Sequence, residues 1–154
     1  MSDYRARPAS NLVRQAQALL SGQRDRIANA ANLSALLFQE LDDVNWVGFY
    51  FLRGEQLIVG PFQGKPACVS IPLGKGVCGT AAATRKVQRV PDVHEFEGHI
   101  ACDVDSRSEI VVPLIKGGEL LGVLDLDSPS PGRFGDVDQS LLVEIAKIYL
   151  ESID

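Results

Sequence analysis

Lysine and arginine form no basic run anywhere in this 154-residue chain, and no apolar stretch approaches the length of a membrane span. The first absence argues against a general nucleic-acid surface, because phosphate binding draws on clustered basic side chains. The charge balance agrees, since 15 basic against 20 acidic residues leave a net charge of −5. The longest wholly apolar run, Trp46 to Leu52, falls far short of the roughly 20 residues that a spanning helix requires. Neither nucleic acid nor membrane is therefore an expected partner. The opening residues MSDYRARPAS have no apolar core, so they do not read as a signal peptide. Three cysteines, an odd number without secretory targeting, point to a reducing compartment, with the cytoplasm as the expected location. Internal repeats and low-complexity segments are absent too.

What remains suits one soluble domain. Residues 1–41 read as two helices. Ala16, Leu19 and Leu20 repeat at helical spacing, Ser21-Gly22 marks a break with Ser21 as N-cap, and Ile27, Ala30, Ala31, Leu33, Leu37 and Leu41 line one face of a second helix. Their expected role is packing, with a contact between two copies of the chain as an extension of it. Residues 42–130 carry the strands and the chemistry. VNWVGFYFL and QLIVGPF form a hairpin about Arg53-Gly54-Glu55, a short strand runs from Cys68 to Ile71, and GVCGTAAATRK reads as a short helix. VQRV is a further strand, and residues 92–108 form a polar loop of 17 residues, a length usually tied to function or disorder. EIVVPLI and ELLGVLDLD make a second hairpin about Lys116-Gly117-Gly118, with Pro113 placing its strand near an edge or bulge. A last helix over residues 136–152 begins at Asp136 with Gln139 as capping partner and shows Val137, Leu141, Ile145, Ile148 and Tyr149 on one face. The fold class is α+β, a central antiparallel sheet with the N- and C-terminal helices packed on one face.

All three cysteines and both histidines fall between Cys68 and Glu109. Any single cysteine is most often a small buried hydrophobe. Cys78 lies near a helix start, where the macrodipole favours a thiolate, whereas Cys102 sits in a polar loop beside Asp103 and Asp105, which disfavour one. Local electrostatics thus make Cys78 the better nucleophile and Cys102 the more accessible. A zinc site through His94, His99 and Cys102 or Asp92 lacks the paired ligand spacing that structural zinc uses, since no two cysteines are closer than ten residues. Those histidines with the acids could alternatively serve a metal-dependent hydrolase. Asp125 and Asp127 point to one face of their strand, and counting outward from the Gly117-Gly118 turn brings Glu109 beside them. Converging carboxylates can hold an ammonium, and repulsion among them can keep one protonated near neutral pH, ready to donate to an oxygen. Turn capping is the structural alternative for Asp127. Trp46 and Tyr50 share a strand face and either pack the core or wall a pocket for a small apolar group such as a thioether methyl.

The segments WVGFYFL, GPFQGKPAC, IPLGKGVCGTAAAT, VPDVHEFEGHIACD, SEIVVPL and LLGVLDLDSPS together resemble the free methionine-(R)-sulfoxide reductases, single-domain proteins on the GAF fold. The resemblance covers residues 42–130, and the closing helix fits it. Glu97 stands where that family usually has proline, and Asp105 and Arg107 replace smaller or neutral residues. It implies a single GAF-like domain over residues 1–154 and reduction of the R epimer of free methionine sulfoxide. It also implies Cys102 as nucleophile, Cys68 as the thiol that resolves it through a disulfide, and Cys78 as an additional exchanging thiol. Glu109, Asp125, Asp127, Trp46 and Tyr50 would form the substrate pocket. Thioredoxin is the implied reductant, and no metal or organic cofactor is required. The alternative on the same fold is a GAF-type ligand-binding or redox-sensing module without turnover. Such a module normally works through an output domain or a partner, and this chain is expected to have no room for such a domain.

Overall fold

A computed structural model describes residues 6–98 and 105–154, with side chains of the first helix from Asn11 onward. Two helices, α1 (Ala6–Leu20) and α2 (Arg26–Glu40), lead into the hairpin β1 (Trp46–Arg53) and β2 (Gln56–Gly64). The short strand β3 (Ser70–Pro72) follows, then α3 (Gly76–Thr84), β4 (Gln88–Val90), the hairpin β5 (Ser108–Lys116) and β6 (Glu119–Ser128), and the closing helix α4 (Asp136–Ser152). Both hairpins turn where the sequence places them. The N-cap of α2 is not Ser21 but Asp25, whose carboxylate accepts from the amides of Ile27 and Ala28. Two residues separate Gly22 from that cap, so the break is longer than its Ser-Gly signal suggests. At α4 the cap residue is Gly135, whose amide donates to the Asp138 carboxylate at 2.9 Å, so Asp138 supplies the contact assigned to Gln139.

The six strands lie in the order β3-β2-β1-β6-β5-β4, every neighbouring pair antiparallel. Two three-stranded meanders therefore meet at the β1–β6 seam. The chain leaves the sheet at one edge, β3, and re-enters it at the other, β4. Its connection must cross a whole face of the sheet, and α3 lies in that connection. Gly79 lets this helix approach closely, because a Cβ there would stand 2.5 Å from the Pro72 carbonyl oxygen. Pro113 sits in a strand flanked on both sides, yet β4 pairs β5 only from Glu109 to Val111. Beyond that point β5 has a free edge on the β4 side, so the missing amide of Pro113 costs no ladder bond there.

Alternation along the central strands divides the core in two. Val47, Phe49 and Phe51, with Ile110, Val112, Leu114, Leu124 and Leu126, face α1, α2 and α4 and are almost wholly buried. Phe49 packs on Tyr149 of α4 at 4.8 Å between ring centroids. Each such side chain contributes on the order of 1.5–3 kcal/mol by leaving water. Trp46, Tyr50, Val111 and Val123 point the other way, toward Val77, Cys78, Ala81 and Ala82 of α3. Four residues expected on buried helix faces stand out from the core instead: Leu19, Ile27, Ala31 and Val137. Among the described residues no helix is long and apolar enough to cross a membrane.

Candidate active site

Register builds the site. Trp46 of β1 pairs with Asp127 of β6, Asp127 with Glu109 of β5, and Glu109 with Val90 of β4, in one row across four strands. The next row on the same face joins Gly48, Asp125 and Val111. The hairpin count thus brings Glu109 to Asp127, as the sequence leads one to expect, and the aromatics share that face. Asp125 and Glu109 are buried, at 4% and 8% exposure, whereas Asp127 is half-exposed and forms the outer acid.

Trp46 lies lengthwise along its own strand. Its ring stacks on Tyr50 at 5.8 Å and on Phe62 of β2 at 5.2 Å. Its indole nitrogen donates to the Lys65 carbonyl at 3.1 Å. Gly48 makes this pose possible: a Cβ at that position would be 2.5 Å from Cη2 of Trp46 and in collision with Cβ of Phe62. The Tyr50 hydroxyl reaches the Cys68 carbonyl at 3.4 Å, and burial together with the surrounding acids raises its pKa. The wall is therefore three aromatic rings over a glycine floor. Phe62, Lys65 and Gly48 were not singled out from the sequence. Only Gly48 carried a signal, since it alternates with Trp46 and Tyr50.

Cys78 occupies the first turn of α3, as the sequence predicts, but its chemistry is the reverse of the expected one. It is 5% exposed, and its thiol donates to the Glu109 carboxylate at 3.8 Å. Burial, then the charges of Asp125, Glu109 and Asp127, push its pKa well up. Desolvation and three nearby carboxylates outweigh one helix terminus. Cys78 is a buried thiol whose surroundings favour the protonated form. Cys68 precedes β3 instead of lying in it, is half-buried and is disulfide-bonded. Cys102 and His99 lie outside the described residues.

The acids are coupled to one another. Burial drives Asp125 from the ordinary carboxylate range to about 8, with the Asp127 charge adding to the rise and hydrogen bonds from Glu109 and Cys78 opposing it. Glu109 is raised well above its usual value by burial first and then by Asp125. Its hydrogen bond with Asp125 favours the protonated form of Glu109, and those with Asp127 and Cys78 oppose it. Both shifts favour the protonated forms of this buried pair.

The loop ends are tied down. The Val93 amide donates to the Arg107 carbonyl and the Arg107 amide to the Ser128 carbonyl, each at 2.7 Å. Asp92 caps the 3-10 turn Val93–Glu95 through the His94 amide. Asp105 and Arg107, the two charged departures, both form ion pairs, Lys65 with Asp105 at 2.7 Å and Arg107 with Asp92 at 3.5 Å. His94 is exposed on the 3-10 turn. Among the described residues the potential metal-ligating group is Cys78, Glu109 and Asp125, whose donor atoms lie within 4.8 Å of one another.

This sheet, with a connection thrown across one face, defines the class as a GAF domain, and the GAF family model matches residues 10–149. The free methionine-R-sulfoxide reductase of Escherichia coli is 53% identical over 136 residues, covering 88% of this chain and 82% of the relative. The namesake from Saccharomyces cerevisiae is 45% identical over 144 residues, covering 88% and 80%. The structure of fRMsr of Staphylococcus aureus in complex with substrate superposes with a TM-score of 0.91 at 51% identity, covering 95% of both chains. The chain belongs to the free methionine-R-sulfoxide reductases, a family of oxidoreductases on the GAF fold.

Proposed function

We propose that this protein reduces free L-methionine (R)-S-oxide to L-methionine with thiols as the electron source. The observation that carries the reading is the buried Glu109–Asp125 pair beside an aromatic wall, where burial and neighbouring carboxylates favour the protonated forms. Sulfoxide reduction needs a proton, because oxygen departs from sulfur only when protonated. Asp127, the outer and more exposed acid, suits the substrate ammonium, and the rings of Trp46 and Tyr50 suit its S-methyl group.

The Cys102 thiolate attacks the sulfoxide sulfur while the Glu109–Asp125 pair gives its proton to the oxygen. Methionine leaves, and the oxygen passes to Cys102 as a sulfenic acid. The Cys68 thiol condenses with it, releasing water and closing a disulfide. The disulfide-bonded state of Cys68 supports this role, and its half-buried position gives a dithiol reductant access. Thioredoxin then returns both thiols to the reduced form by exchange. The sum is methionine sulfoxide plus dithiol giving methionine, disulfide and water. Cys78, buried and reduced, takes no part in the first attack, and the reaction belongs in the reducing cytoplasm.

The test is to supply the reduced protein and thioredoxin with racemic free methionine sulfoxide and to resolve the remainder by chirality. Consumption should stop at the R epimer. Cys102→Ser should release no methionine, and Cys68→Ser should release about one per chain without cycling. Binding without turnover would favour the ligand-sensing module instead.

A further inference from the structure

We infer that Cys78, Glu109 and Asp125 form a coordination site for a thiophilic divalent cation of the zinc and cadmium type. The inference goes beyond sulfoxide reduction, whose steps require no metal. Three donor atoms, one sulfur and two carboxylate oxygens, lie within 4.8 Å of one another. The Cys78 sulfur stands 3.8 Å from a Glu109 carboxylate oxygen. Zinc bound to sulfur at about 2.3 Å and to oxygen at about 2.0–2.2 Å, with tetrahedral angles, holds those two atoms about 3.6 Å apart. A shift of a few tenths of an ångström by side chains alone closes that difference.

A second observation points the same way. Asp125 is 4% exposed, and its Oδ1 has no hydrogen-bond partner. A buried carboxylate oxygen without a donor costs on the order of 1–3 kcal/mol or more, and a cation removes that cost. The donors come from three separate elements, Cys78 from α3, Glu109 from β5 and Asp125 from β6, so the sheet and the helix laid across it fix their spacing. The half-exposed Asp127 stands at the rim as the entry point. With one thiolate and two carboxylates, an ion would leave a net charge of −1 and a fourth position for water. It would also occupy the oxygens through which the acid pair carries its proton, so a loaded protein cannot donate that proton.

Cadmium reports on the site directly, because thiolate-to-cadmium bonding absorbs in the ultraviolet. A Cys68→Ser, Cys102→Ser double variant retains Cys78 as its one thiol, and its fold is checked by circular dichroism. One equivalent of cadmium should produce the absorption, Cys78→Ser should abolish it, and Glu109→Gln or Asp125→Asn should each weaken binding by about tenfold or more. A folded double variant that gives no absorption overturns the inference. So does an absorption whose affinity is indifferent to both acid substitutions, which would mark a lone thiol. A parallel measurement uses the reduced wild-type protein, which should keep about one zinc per chain through gel filtration and lose it on Cys78→Ser. Equal zinc retention by wild type and Cys78→Ser would count against the site.

Discussion

The two faces of one sheet are built by the same three strands and have opposite characters. On β1, β5 and β6 the residues pointing toward α1, α2 and α4 are Val47, Phe49, Phe51, Ile110, Val112, Leu114, Leu124 and Leu126, all apolar. Their immediate neighbours in sequence point toward α3, and they include Trp46, Gly48, Tyr50, Glu109, Asp125 and Asp127. One face supplies stability by excluding water, and the other holds groups that are costly to bury. Because the side-chain period of a strand is two, the costly groups are anchored by backbone that the apolar face immobilises. Rigidity and chemistry are here separable by parity along a strand.

The largest effect that would test this separation is on the acid face. Glu109→Gln should lower kcat/KM by about 10²–10⁴-fold while the melting temperature changes little, read by steady-state kinetics beside a thermal melt. Leu126→Ala, one residue from Asp125 and Asp127, should do the converse. It should cost about 2–5 kcal/mol in denaturant titration and leave activity per folded molecule near wild type. Activity lost in proportion to stability in both variants would break the division.

A third experiment uses pH. The folded-state pKa of Asp125 is raised to about 8, so the stability tied to its protonated form is present below the ordinary carboxylate range and lost as pH rises toward 8. Asp125→Asn removes this loss. The variant should gain on the order of 1–3 kcal/mol relative to wild type at pH 9 compared with pH 4, measured by denaturant titration at both values. Wild-type turnover should fall over the same upper range as the acid pair loses its proton. At the wall, Gly48→Ala should displace the Trp46 ring, cost about 1–3 kcal/mol and raise KM more than it lowers kcat, read by a denaturant titration beside steady-state kinetics.

Much of this was legible in advance because strand alternation and hairpin counting are local rules. The Gly117-Gly118 turn sets the register that brings Glu109 to Asp127, and four-residue spacing puts Trp46 and Tyr50 on one face. Sequence and structure part where a residue's surroundings come from distant sequence. Cys78 was given the electrostatics of its own helix turn, yet its pKa is governed by burial and by acids from two strands that lie 31 to 49 residues further along. Ile27 and Val137 follow helical periodicity yet are exposed, because periodicity alone does not say which partner element covers a given turn. Phe62 and Lys65 complete the wall from β2 and the segment after it, and no periodicity announces such a contact. Cysteine spacing argued against paired zinc ligands, but it carries no information on which acids from distant strands come to surround Cys78.

Gly48 bears also on how this protein can change over generations. Most pocket positions can be adjusted by degrees, a methyl added here or a ring narrowed there, and selection can sample the intermediates. Every replacement of glycine adds a Cβ, and at this position that first atom lands where the indole and Phe62 already are. No mild substitution exists there. A lineage that altered residue 48 would have to remodel Trp46 or Phe62 in the same event or lose its aromatic wall, so a new substrate shape is more accessible through the rim than through the floor.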